Sequence, residues 1–414
     1  MLIVTNHNTE RGEATINYIQ QEPMFSLQEI LDLEPKTKYH YIFKELNVYP
    51  AVKILTNNFN KGADGYNKAN IVRALIAMQI EGLQSKTALK RRLKDDIRFR
   101  MSCGFKTCTS IPSVPTLCRC FNKLSETDAL DKIYEQLLKV AKNLDMIDPE
   151  SIAIDSSKLE SYDSPQPNSK IDKLDPNRAD WGAKYDSNYN VIKWFGFKLH
   201  IACDVKAEIP IKFNLTPANE ADSKNALPLI KDTHSFFNQK PSYWLMDKGY
   251  DVTEIYKTVV EKYDGQAITP LNKRNMQTPP VGFADFQYTP QCSGGHKMVY
   301  WGHYNGCNKF RCPDVCGKVD CIHGSAWCSD SNYGFVTKTR PKQDPRYISI
   351  PHRGSSTWQD IYNKRTSVER TFSRLKEHLN LKNLTVMGAE KVKTHVLLCC
   401  ISLIASKVSV EKQK

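Results

Sequence analysis

The chain has 414 residues, with 58 Lys and Arg against 45 Asp and Glu, a net charge of +13 and a pI near 9.0. That length can bury two or three domain cores, and the basic excess points to a polyanionic partner, most commonly nucleic acid. The start, Met1-Leu-Ile-Val-Thr-Asn-His7, lacks the features of a secretory signal, and Val396–Ala405 is too short and interrupted to span a bilayer. A cytoplasmic chain without a membrane partner is therefore expected, its 13 cysteines serving as thiols or metal ligands rather than disulfides.

Residues 1–68 are weakly periodic and carry no assignable role. From Asn70 to Leu124 the pattern is helical: Ile71, Leu75, Ile76, Met78 and Ile80 form an apolar face, and Gly82 ends it. A basic segment follows, with Lys86, Lys90, Arg91, Arg92, Lys94, Arg98 and Arg100. Ser113 is placed to cap the next helix, with Pro115 in its first turn and Arg119, Asn122 and Lys123 along it. Short helices ending in a capped basic helix resemble a helix-turn-helix, so residues 69–130 are predicted as a helical DNA-binding domain. Ordinary solvated helix faces are the competing reading of these charges.

Ser161–Asn177 is polar and predicted as a loop. Val191–Cys203 and Ile209–Leu215 read as adjacent strands joined by a turn over Asp204–Glu208. A helix over 223–232, a strand ending at Asp247, a helix over 252–263 and a strand over 266–270 follow. The predicted fold class is α/β, a mixed sheet flanked by helices in the pattern of an RNase H-like core. That core is expected over 148–272, resuming with C-terminal helices over 356–407.

Between them, 273–355 reads as a cysteine-rich insertion holding Cys292, Cys307, Cys312, Cys316, Cys321 and Cys328, with His296, His303 and His323 among them. The spacing of Cys307, Cys312, Cys316 and Cys321 fits one structural Zn²⁺, although it is not a tidy pair of C-x2-C knuckles. Free thiols and disulfides are the alternatives, and six cysteines also allow two sites or two spectators.

Two apolar runs each end in an aspartate: Ser151-Ile-Ala-Ile-Asp155 and Tyr243-Trp-Leu-Met-Asp247. Far downstream, Tyr362, Arg365, Glu369 and Lys376 fall at i, i+3, i+7 and i+14 of a predicted helix, nearly on one line. Two strand-end aspartates and a helical glutamate suit a two-metal phosphoryl-transfer site, because hard oxygen ligands from separate elements are what Mg²⁺ prefers. Singly, each has a plainer explanation: a turn or cap aspartate, or a Glu369–Arg365 pair on a helix face.

These residues carry a resemblance. The Y-x-x-R-x-x-x-E-x6-K stretch, the segments Ile154–Lys158 and Leu245–Tyr250, and the helical region ending in Ile111-Pro-Ser-Val-Pro-Thr-Leu117 resemble a DDE transposase of the bacterial insertion-sequence type. Phe195–His200 and Thr216–Asp222 are similar to the same family, and the likeness spans roughly 69–405. It implies that Asp155, Asp247 and Glu369 bind catalytic Mg²⁺, with Mn²⁺ able to substitute. It also implies that Tyr362, Arg365 and Lys376 position or contact transposon-end DNA near the active site, and that the partners are double-stranded DNA of transposon ends and target, bound by a homo-oligomer associated with the bacterial nucleoid. Lys90, Arg91, Arg92, Arg98, Arg119 and Lys123 are the expected phosphate contacts. The rivals are a non-catalytic DNA-binding derivative and an RNase H-like nuclease that cuts without joining.

Overall fold

The computed structural model describes residues 29, 33, 36–56, 65–106, 110–165, 178–185, 188–237, 241–272 and 278–414. Most of the predicted Ser161–Asn177 loop lies outside them. Among the described residues seven helices precede the main sheet: α1 Lys38–Lys44, α2 Tyr49–Leu55, α3 Lys68–Ile80, α4 Lys86–Asp95, α5 Ile97–Ser102, α6 Val114–Ser125 and α7 Ala129–Asn143. The expected start and stop signals operate. Ser113 accepts the Thr116 amide at 3.4 Å with Pro115 in the first turn of α6, and Gly82, at φ +62°, follows the end of α3. Ser85 and Asp96 cap α4 and α5 in the same way.

The main sheet contains β1 Ser151–Glu160, β2 Asp180–Tyr185, β3 Val191–Asp204, β4 Pro210–Pro217, β5 Tyr243–Met246 and β6 Gln266–Ile268. Its order is β2-β3-β1-β5-β6, with β4 also paired to β3. β1 runs antiparallel to β3 and parallel to β5, and β5 is parallel to β6. Helices α8 Asp222–Phe236 and α9 Thr253–Lys257 make the crossovers on either side of β5, as parallel pairing requires. The 191–217 hairpin and the 243–246 strand lie where period and turn chemistry place them; β2 has no clear alternating pattern from which to predict it.

A separate antiparallel sheet, β7 Val299–Tyr304, β8 Cys307–Arg311 and β9 Val336–Thr339, occupies the cysteine-rich stretch. Three more helices close the chain: α10 Ser356–Asn363, α11 Thr366–Ser373 and α12 Ala389–Glu411. α12 is long and apolar enough to cross a membrane, but 78% of its most apolar window is buried inside the protein. It is a core helix. One apolar cluster runs from Tyr39 through the main sheet to Val408, so the N-terminal helices and the sheet share a core.

A buried polar network ties α12 to α3. Asn380 donates to the Leu83 carbonyl at 2.7 Å and to Gln79 Oε1 at 3.4 Å, and His395 Nε2 pairs with the Asn380 carbonyl at 2.9 Å. Burial pushes the His395 imidazole down to about 4, only partly countered by that carbonyl. Its neutral form therefore stabilises the fold above the unfolded pKa near 6.5, and that contribution is lost as pH falls toward 4. Asp155 and Asp204 shift upward and act with opposite sign, so the test is a difference. The stability gap between wild type and His395→Gln in urea unfolding should shrink by about 1.4 kcal/mol per pH unit across that window. A gap independent of pH would show that His395 does not titrate this way.

Candidate active site

Parallel pairing sets Ile154 of β1 opposite Met246 of β5, so the next residue on each strand, Asp155 and Asp247, emerge side by side. β5 stops there. The Asp247 carboxylate accepts the Gly249 amide at 2.8 Å and opens a 3₁₀ turn over Lys248–Tyr250. A Cβ on Gly249 would come within 3.0 Å of Asp247 Oδ1, so glycine permits this approach. Asp155 differs from expectation: it is the fifth residue of a ten-residue strand, not its end. The reason is β3, whose pairing continues past Asp155 (opposite Ile201) to Glu160 after β5 has ended.

Glu369 comes from α11, which packs across β1 and β3 and brings the Ser367 hydroxyl to 3.9 Å from Cys203 Sγ. The Tyr362–Lys376 stretch is not the single helix expected. α10 ends at Asn363; Lys364 and Arg365 form a tight turn, with the Arg365 amide donating to the Tyr362 carbonyl at 2.9 Å. After α11 the chain widens into a π turn over Arg374–His378, closed by Leu379 N–H to the Arg374 carbonyl at 3.1 Å. The four signature residues therefore leave their common line. Lys376 swings onto β1, donating to Ser157 Oγ and the Lys158 carbonyl, both at 2.7 Å. Burial, with Lys184 and Lys158 nearby, pushes its ammonium down to about 8.

Arg365 joins two of the three carboxylates, Asp155 and Glu369. Its guanidinium donates to Glu369 Oε1 at 2.6 Å and reaches Asp155 Oδ2 at 3.4 Å. Burial pushes Asp155 up to about 7; the Ser156 amide opposes this, Asp247 and Glu369 add to it, and Arg365 works against it. Asp247 is raised as well, by burial first, with Asp222 contributing and Gly249 and Arg365 opposing. The Tyr250 phenol, 1% exposed, is held far above its ordinary range by burial and by Asp155, Asp222 and Asp247. Crowded carboxylates that resist ionisation beside a single guanidinium mark a place that favours added positive charge.

Sequence reasoning assigns no role to Asp222, Lys198 or His200. Asp222 opens α8 and pairs with Lys198 at 3.1 Å, while His200 is buried against Thr216 Oγ1 at 2.9 Å. Both familiar stretches, Phe195–His200 and Thr216–Asp222, are thus adjacent strands and a helix start that frame the carboxylates. Their motif likeness is the available signal.

The remaining predicted residues divide. Tyr362 stacks on Trp358 with ring centroids 5.2 Å apart. Lys90, Arg91, Arg98 and Arg119 are exposed on α4, α5 and α6, and Lys123 is half-buried on α6. Arg92 is engaged internally: it pairs with Asp96 at 2.6 Å and Glu81 at 3.4 Å and lies over the Phe99 ring. Its place in a run of cations gives no hint of those partners. Cys307 is also displaced from its predicted set. It begins β8 and Cys312 follows the strand's end, so an extended run separates them, and Cys307 Sγ accepts from Arg340 Nε at 3.0 Å.

The donor chemistry at Asp155, Asp247 and Glu369 is all carboxylate oxygen, which fits Mg²⁺ or Mn²⁺. As placed, with Arg365 between Asp155 and Glu369, no three His, Cys, Asp or Glu side chains among the described residues are closed to metal-binding distance.

The family model described as Transposase DDE domain matches residues 147–405, and that described as Transposase domain (DUF772) matches residues 25–123. A cryo-EM structure of the piggyBac transposase synaptic complex with hairpin DNA is similar over 91% of this chain and 75% of that one, with a TM-score of 0.39 and 12% identity. No curated protein matches the chain.

Proposed function

Because the chain belongs to the Transposase DDE domain family, we propose that it binds the terminal inverted repeats of an insertion sequence, cuts the DNA there and joins the 3′ ends to a target. The observation that carries this reading is the placement of Asp155 and Asp247 on neighbouring parallel strands with Glu369 linked to Asp155 through Arg365. The sheet order and mixed pairing support an RNase H-like core, with 273–355 as its insertion and 69–130 as its DNA-binding part.

In this proposal Asp155, Asp247 and Glu369 would hold two Mg²⁺ ions, which Mn²⁺ could replace. When bound, they would supply an activated attacking oxygen and charge stabilisation on the leaving one. Arg365 then turns from the carboxylates toward a DNA phosphate, a role its bidentate fork suits. Lys376 fixes the end of the signature against Ser157 and Lys158, and so positions Glu369 over β1. Tyr362, stacked on Trp358, borders the same site as a DNA contact. Bridging two element ends calls for a homo-oligomer on DNA, acting in the bacterial cytoplasm at the nucleoid.

The test is incubation of purified protein with DNA carrying the gene's flanking ends, with Mg²⁺ or Mn²⁺, scoring both cleavage and joined products. Cleavage without joining would favour a plain nuclease, and binding without cleavage a non-catalytic DNA-binding protein. Binding itself should be strongly salt-dependent. Replacing Lys90 and Arg91 together by Ala should reduce the slope of log K against log salt by about 0.9 for each phosphate no longer neutralised. An unchanged slope would remove α4 from the DNA surface.

A further inference from the structure

Residues 278–352 carry a sheet of their own but little apolar core. Their separate buried cluster holds only Cys292, Met298 and Phe310, with Tyr300 and Phe335 against it. Outside that cluster the segment buries only scattered apolar side chains such as Tyr288, Cys307, Cys312 and Ile348, which offset little of the conformational entropy of ordering so long a stretch, and small units of this kind depend on a cross-link or a metal. All described cysteines are free thiols, so no disulfide supplies that link among them.

Four turns direct cysteines to one place. Cys292 opens a tight turn in which the Gly295 amide donates to its carbonyl and its own amide donates to His296, both at 2.9 Å. Inside that turn, a Cβ on Gly294 would lie 3.8 Å from both Cys292 Sγ and Cys321 Sγ, so the two sulfurs flank the same glycine. Cys312 begins the next turn, packed against Gly334 at φ +67°, whose Cβ position is 3.3 Å from Cys312 Sγ. Asp314 of that turn accepts the Cys321 amide at 2.9 Å, which joins the second cysteine's loop to the third. Cys328 follows a 3₁₀ turn over Ser325–Trp327, and its thiol lies within electrostatic reach of Cys292, Cys321 and Cys312.

We infer that Cys292, Cys312, Cys321 and Cys328 bind one Zn²⁺ as a structural four-cysteine site. The ligand set differs from the one suggested by spacing: Cys307 belongs to the far end of β8 with Arg340, and Cys316 serves the Cys312 turn through its backbone amide. Binding draws the four sulfurs inward to a tetrahedron and releases the thiol protons, with no redox step. Such a closed site leaves no open position for catalysis and is independent of the carboxylate centre. Its effect is architectural. The stapled segment presents Arg346, which grips Asp251 just beyond the Asp247 turn with contacts of 3.0 and 2.8 Å.

The experiment is elemental analysis of full-length protein purified under reducing conditions, beside titration of the metal-free protein with Co²⁺. One zinc per chain is expected, together with the ligand-field and thiolate charge-transfer bands of tetrahedral sulfur-bound Co²⁺. Cys292→Ser and Cys321→Ser should each lose the zinc, while Cys307→Ser and Cys316→Ser keep it. Wild type without stoichiometric zinc and without the Co²⁺ bands overturns the assignment, as does a native disulfide found by mass spectrometry among these four. Zinc retained in Cys292→Ser or lost in Cys316→Ser overturns the ligand set. Should the serine variants fail to fold, the Co²⁺ spectrum of wild type decides, since four thiolates and a mixed set differ in charge-transfer intensity.

Discussion

Asp155→Asn, Asp247→Asn and Glu369→Gln are each expected to lower Mg²⁺-dependent cleavage by on the order of a thousandfold while leaving binding to the DNA ends intact. A correctly held metal supplies several kcal/mol of transition-state charge stabilisation, and about 1.4 kcal/mol is a factor of ten. Losing one carboxylate from the set therefore costs several powers of ten in rate. A second readout separates this from unfolding. Burial holds Asp155 up to about 7, so its ionised form costs stability in the metal-free fold at higher pH. A carboxyl with a raised folded pKa weakens the fold as pH climbs from the unfolded value through 7. Asp155→Asn should thus melt at or above the wild-type temperature at pH 8, with the advantage fading toward pH 5. An inactive but no less stable variant is what a functional carboxylate predicts. Wild-type cleavage in any of the three would remove that residue from the site.

Arg346→Ala should destabilise the protein by about 3–5 kcal/mol, because it strands a buried carboxylate. The Asp251 side chain is 1% exposed; it accepts two hydrogen bonds from Arg346 and one, at 2.7 Å, from the Asn272 amide. Burial works against its charge, and these donors hold it below the ordinary carboxylate range. Exposed pairs are worth a fraction of this, so denaturant unfolding discriminates clearly. Since Asp251 ends the turn that begins at Asp247, cleavage should fall with stability in Arg346→Ala. Replacing both partners, in Arg346→Met with Asp251→Asn, should recover much of the stability by removing the unpaired charge. A loss below about 1 kcal/mol for Arg346→Ala would mean that Asp251 is effectively hydrated.

Much of the fold is legible wherever local chemistry carries it. The α3 and α6 boundaries follow from Gly82 and Ser113, and the β3–β4 hairpin from two apolar runs around Asp204–Glu208. β2 and the helices α1 and α2 escape such reading, because short elements held by tertiary contacts leave little period to read. The signature stretch is recognisable by its residues but not by its shape. Its turn at Lys364–Arg365 and its π turn at Arg374–His378 depend on packing against β1 and β3, which no helical repeat reports.

By itself, then, the sequence determined the class of chemistry: carboxylates after apolar runs, a basic chain and a concentration of thiols restrict what it can do. The tertiary structure alone decided which groups meet. Asp155 and Asp247 become neighbours through the β1–β5 register, Arg365 comes between Asp155 and Glu369 through a turn, and Arg92 is drawn into pairing with Asp96 and Glu81. Cys307 and Cys312, close in sequence, are held apart by the extended strand between them, whereas Cys292 and Cys321 flank one glycine. The physical reason is the same in each case. Spacing along a chain sets distances only within an element, while proximity across elements is set by strand register and the packing of a shared core.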